Sequence, residues 1–151
     1  MTRSRDETSG RWRIPSVWGE EKRVLAGVRA LALACGFSES RAEEMASAVA
    51  EACLNAAEHG NGMDPARFIR VEYRFADAAA RIRVYDDGEG FAENAARPAA
   101  GGGDGRGWGL RLMRGLADEV RFFRGEQGHC AELRFWLERE EDRRDGHGRT
   151  T

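Results

Sequence analysis

Apolar and polar positions divide the chain into two helices, a pair of strands, a long loop, a third helix and a closing hairpin. Residues Glu20 to Cys35 place Val24, Leu25, Val28, Leu31 and Leu33 at a mostly helical spacing, and Gly36 supplies a stop. A second helix is expected from Ser38 or Ser40, where Ser40 and Glu43 match a capping box, to about His59. Gly60-Asn61-Gly62 would end it. Strand alternation follows. Ile69, Val71, Tyr73 and Phe75 share one face of Phe68 to Phe75. Beyond a turn around Asp77, Ile82, Val84 and Asp86 share a face of Ala80 to Asp86, with Arg81, Arg83 and Tyr85 on the other. Gly88 to Gly107 is glycine- and alanine-rich and reads as a loop. Helical spacing returns through Leu110, Met113 and Leu116. Strands near Glu119 to Arg124 and Cys130 to Leu137 are joined by Gly125-Glu126-Gln127-Gly128. Arg11 to Trp18 predicts an edge strand whose pairing Pro15 limits. The expected organisation is a disordered N-terminus over 1–10, one domain over 11–138 and a charged, disordered tail over 139–151.

Composition narrows the function classes. The 151 residues are 41% hydrophobic, which suits one soluble domain with a real core. A net charge of -2 gives no overall field for nucleic acid or a membrane. Lys22 is the only lysine and follows no glycine loop, which excludes a P-loop. Cys35, Cys53 and Cys130 are widely spaced, so neither a zinc site nor a disulfide framework is supported. With no apolar leader and no run of about 18 apolar residues, the chain is expected to be cytoplasmic.

Three stretches carry candidate chemistry. In Glu51-Ala-Cys-Leu-Asn55-Ala-Ala-Glu-His59, residues Glu51, Asn55 and His59 fall at i, i+4 and i+8 beside Ala48, Ala52 and Ala56. A polar stripe on a core-like helix suggests a cleft wall. An asparagine oxygen suits Mg²⁺, and a carboxylate one turn away suits a general base; a solvated stripe is the bland alternative. In Val84-Tyr-Asp86-Asp-Gly88-Glu-Gly90-Phe91, the alternation aims Asp86 inward, where a carboxylate needs a partner such as the exocyclic amine of adenine. A simple Asp-Gly turn is the alternative. In Gly101-Gly-Gly-Asp-Gly105-Arg-Gly107-Trp-Gly109-Leu110, glycine-rich backbone runs straight into a helix. Free N–H groups and the dipole there favour an anion, and Arg106 adds a phosphate donor. The spacing departs from the dinucleotide fingerprint, so a Rossmann site is discounted.

Together, in this order, the three stretches resemble the N box and the two glycine boxes of the GHKL ATPases. Within that superfamily the chain most resembles the anti-sigma factor serine/threonine kinases. Leu116-Ala-Asp118-Glu119-Val120 continues the second box as those kinases do, and the likeness covers roughly Trp12 to Leu137. The resemblance implies a Bergerat ATP-binding fold: an α/β (α+β) two-layer sandwich, with a mixed, mostly antiparallel sheet and helices on one face. It implies ATP and Mg²⁺ as cofactors, Asn55 as the Mg²⁺ ligand and Glu51 as the catalytic residue, either as the general base or in orienting the attacking hydroxyl. Asp86 would read adenine, and Gly88 and Gly90 would make room for the nucleotide. Gly105, Gly107 and Gly109 would place N–H groups on the phosphates, with Arg106, Trp108 and Leu110 in the same segment. Where the family often has Gly-Thr before its last strand, this chain has Gly128-His129-Cys130, so the hydroxyl that supports the aspartate–adenine contact is missing.

The function this implies is an ATP-dependent protein serine/threonine kinase. It would sequester a sigma factor and phosphorylate an anti-anti-sigma (STAS-type) protein, and the resemblance implies a homodimer. The alternative is a module that binds ATP and regulates a partner by contact alone. A detached histidine-kinase catalytic domain ranks lower, because the segment before Ser38 holds no histidine.

Overall fold

A computed structural model describes residues 7–87, 106–125 and 128–137, with residues 106–110 described as backbone only. The elements are β1 (Thr8–Pro15), α1 (Glu21–Ala34), α2 (Glu39–Asn55), one π-helical turn (Ala56–Gly60), β2 (Phe68–Ala76), β3 (Ala79–Asp86), α3 (Arg106–Leu116), β4 (Glu119–Gly125) and β5 (Gly128–Trp136). The five strands form one sheet in the order β1-β2-β3-β5-β4. Every described pairing is antiparallel, in keeping with the expected mostly antiparallel sheet. β5 enters between β3 and β4, which brings His129 opposite Asp86.

Alternation divides the sheet into a covered and an open face. The covered face supplies Ile14, Ile69, Val71, Phe75, Ala80, Ile82, Val84, Leu133 and Phe135 to one buried cluster. Helix α1 adds Val24, Val28 and Ala32, and α2 adds Ala42, Met45, Ala48, Val49 and Ala52. The small alanines let α2 lie close to the sheet. Each buried large apolar side chain contributes about 1.5–3 kcal/mol. The β2–β3 hairpin turns through Asp77 and Ala78, both at positive φ (54° and 59°), the geometry that matches strand twist.

Two boundaries shift. Residues Thr8, Ser9 and Gly10 pair with Phe75, Arg74 and Tyr73, so order begins inside the N-terminal segment expected to be disordered. The strand also ends at Pro15, leaving Trp18 57% exposed beyond it. The cap of α2 is Ser38, whose Oγ accepts from the Arg41 N–H at 3.0 Å, and not Ser40.

The open face carries arginines on neighbouring strands, yet Glu132 is 1% exposed there. Arg83 Nε and Arg134 Nε donate to its two oxygens at 2.8 and 3.0 Å. Burial raises the Glu132 pKa, but the two guanidiniums outweigh it and hold the carboxyl below its ordinary value.

A second buried ion pair ties the helices together. Arg41, in the first turn of α2, donates to the Leu116 carbonyl at the end of α3 (2.6 Å), to the Asp118 carboxylate, and to Glu44 (3.2 Å). Asp118 in turn accepts from the Trp136 N–H at 2.7 Å. All three cysteines are free thiols. Cys53 and Cys130 are buried, which pushes each pKa up to about 12. No helix among the described residues is long and apolar enough to cross a membrane.

Candidate functional site

Helix α2 brings the first two site residues to one wall. Glu51 is half-buried. Burial first, and the Glu58 charge second, raise its pKa above the ordinary carboxylate value. That shift suits a proton acceptor working near neutral pH. Asn55, one turn on, is 5% exposed, and its amide Nδ2 has no hydrogen-bond partner among the described residues. A buried, unsatisfied donor costs about 1–3 kcal/mol, and it marks a place where a ligand would complete the structure.

Directly after Asn55 the helix widens into the π-turn Ala56–Gly60, where the Asn61 N–H reaches back to the Ala56 carbonyl at 2.9 Å. Such turns often mark functional sites. The turn corrects the simple face argument, because the α-helical phase that set His59 in line with Glu51 and Asn55 ends at Asn55.

The π-turn meets the end of β3. Asp86 is 2% exposed and lies against Gly60, where a Cβ would stand 2.2 Å from the Asp86 Cγ. On its other side a Cβ at Gly128 would stand 2.2 Å from the Asp86 carbonyl oxygen, and Gly128 sits at φ +105°. Two glycines thus enclose the aspartate that alternation aimed inward. The His129 Nδ1 lies 3.7 Å from Asp86 Oδ2. Burial first, then the charge of Arg124, lower the His129 pKa below 6.5. Both causes favour the neutral ring.

Beside this pair, Asn61 is 2% exposed. Its Nδ2 donates to Ser16 Oγ (3.0 Å) and to the Phe68 carbonyl (3.2 Å), while its Oδ1 accepts from the Asp87 N–H (2.9 Å). In the sequence Gly60 and Asn61 read only as a helix stop, while Gly128 reads as part of a hairpin and, by the family resemblance, of the stretch at the Gly-Thr position. Nothing local marks them, because the atoms they meet belong to distant strands.

Of the glycine boxes, Gly88, Gly90 and Gly105 lie outside the described residues. Arg106, Gly107, Trp108, Gly109 and Leu110 open α3 as helical backbone. Buried Met113 joins α3 to the core, and Arg41 anchors its last turn. The glycine-rich end of α3 is the end far from that anchor.

Residues 19–135 match the histidine kinase-like ATPase domain family. The chain belongs to that family. No curated protein matches it. Among solved structures it is similar to the RsbU and RsbW domains of Rv1364c from Mycobacterium tuberculosis, with TM-score 0.64, 24% identity, and coverage of 87% of this chain and 33% of that one. It is also similar to the histidine kinase domain of the blue-light activated histidine kinase EL346 from Erythrobacter litoralis, with TM-score 0.53, 19% identity, and coverage of 82% and 62%. Both are likenesses of fold, and this chain spans less than two thirds of either relative.

Asn55 carries an amide oxygen of the kind that would suit Mg²⁺. Among the described residues no three His, Cys, Asp or Glu side chains converge on a metal position. A metal at Asn55 would draw its other ligands from phosphate and water, as Mg²⁺ commonly does. The orphaned Nδ2 of the same amide would be satisfied by a phosphate oxygen.

Proposed function

We propose that this chain binds Mg²⁺-ATP and acts as an anti-sigma factor with protein serine/threonine kinase activity. It would sequester a sigma factor, phosphorylate an anti-anti-sigma (STAS-type) protein, and work as a homodimer. The supporting observation is the wall of half-buried Glu51 and buried Asn55, which ends in a π-turn lying against a glycine-enclosed Asp86. Asp86 accepts a hydrogen bond from the adenine amine, and the close approach of Gly60 fixes the carboxylate. Asn55 holds the metal through its side-chain oxygen. Glu51, with its raised pKa, takes the proton of the attacking serine or threonine hydroxyl. Gly88 and Gly90 make room for the nucleotide. Gly105, Gly107 and Gly109 offer N–H groups to the phosphates, with Arg106 adding charge and Trp108 and Leu110 flanking. Mg²⁺ held at Asn55 would supply charge neutralisation at the phosphates, and the chain's own residues would contribute mainly positioning.

Nucleotide binding to wild type and Asp86→Asn, by calorimetry, tests the reading. Wild type binds ATP with Mg²⁺ dependence. The variant loses about 1.5–3 kcal/mol, roughly 10–100-fold, the value of a hydrogen bond to a charged group. Equal affinities would remove Asp86 from the site. A module that regulates by contact alone would bind ATP yet transfer no phosphate to its antagonist protein.

A further inference from the structure

We infer that Asn61 is the positioning residue for Asp86 and thereby sets how strictly the site selects adenine. The inference rests on the assignment of Asp86 to the base. All three polar contacts of the Asn61 amide converge on the exit of β3. The Asp87 N–H, which it accepts at 2.9 Å, belongs to the peptide directly after Asp86. The Ser16 hydroxyl and Phe68 carbonyl, to which it donates, lie just past the end of β1 and at the start of β2. Ser16 is itself fixed, since its Oγ donates to the Arg67 carbonyl at 2.8 Å. Asn61 also follows Gly60, the residue against which the Asp86 carboxylate lies. One side chain therefore ties the peptide directly after Asp86 to β1 and β2, at the residue next to the glycine on which the carboxylate lies.

Without it, the Asp86–Asp87 peptide could rotate where β3 leaves the sheet, and the carboxylate would rotate with it. A functional group must be held to within about 0.5 Å to discriminate. Adenine presents an amine donor where guanine presents a carbonyl oxygen, so carboxylate placement bears on the choice of base. Contacts to the triphosphate are shared by ATP and GTP and do not depend on it.

The test is the ratio of ATP to GTP affinity, measured by calorimetry with Mg²⁺ on the full chain, for wild type, Asn61→Ala and Ser16→Ala. Wild type prefers ATP. Asn61→Ala lowers the ratio by about tenfold, the value of roughly one hydrogen bond at the base. Ser16→Ala removes one of the three Asn61 contacts and lowers it about two- to threefold. A merely structural asparagine would lower the melting temperature and weaken both nucleotides equally, and an unmoved ratio in folded variants overturns the inference. Should Asn61→Ala not fold, the Ser16→Ala ratio decides alone. A wild type without preference for ATP removes the Asp86 assignment itself and this inference with it. A wild type that prefers ATP, with unmoved variant ratios, overturns only the role of Asn61.

Discussion

At its N-terminal end α2 buries an arginine whose charge is answered within the chain; at its C-terminal end it buries an asparagine whose amide donor is not. Arg41 reaches Leu116, Asp118 and Glu44, and only its Nε lacks a partner. Asn55, four turns along the same helix, leaves its Nδ2 unpaired beside a carboxylate of raised pKa. Both residues are polar and nearly buried, so burial alone does not separate them. Internal satisfaction does. What separates them is that two carboxylates and a carbonyl answer the Arg41 charge, whereas the Asn55 amide donor finds no partner among the described residues.

Removing Glu51, the proposed base, gives the largest expected effect. Glu51→Ala keeps ATP binding and loses about 10²–10⁴-fold in phosphate transfer, the usual worth of a general base. Transfer by wild type should rise with pH through a value above the ordinary carboxylate range, because the base must be ionised and its pKa is raised. Undiminished transfer in the variant would remove Glu51 from the mechanism.

Breaking the architectural end comes next. Arg41→Ala leaves the Asp118 carboxylate, 14% exposed, without its guanidinium. Urea denaturation should show about 3–5 kcal/mol lost. A loss within the range of ordinary surface substitutions would show that the clamp is dispensable, and the contrast between the two ends would fail.

Asn55→Leu sharpens the contrast from the other side. The substitution removes an unsatisfied buried donor, so the ligand-free protein should gain about 1 kcal/mol. Mg²⁺-dependent ATP binding should disappear at the same time. Destabilisation of the ligand-free variant would mean that the amide has a structural partner after all.

The smallest effect concerns His129. Its folded-state pKa lies below 6.5, so the folded chain takes up this proton less readily than the unfolded chain. The stability it contributes is fully present above pH 6.5 and is lost as pH falls from there through the folded value. His129→Thr should flatten that part of the stability curve, and an unchanged slope between the two chains would assign it to another group.

Much of this was legible before any coordinates. Period-two alternation put Asp86 on the same face as Ile82 and Val84, and burial at 2% follows from that. Helical spacing located α1, α2 and α3 to within a few residues. Among the neighbours of Asp86, Gly128-His129 was pointed to only by the family resemblance, and Gly60 not at all. Gly60 and Gly128 matter because β3 comes within contact distance of each, and His129 faces Asp86 because β5 inserts beside β3 rather than beside β4 alone. The π-turn was equally hidden, since Ala-Ala-Glu-His-Gly continues an ordinary helical run.

The sequence by itself determined the elements, their buried faces and the residues with chemistry to offer, because these follow from local spacing and side-chain type. Only the tertiary structure decided which polar groups are completed and which are left open. Arg41 finds Leu116 and Asp118 at separations of 75 and 77 residues, and Asn61 finds Ser16 across 45. Such pairings depend on strand order and helix packing, which no local pattern encodes.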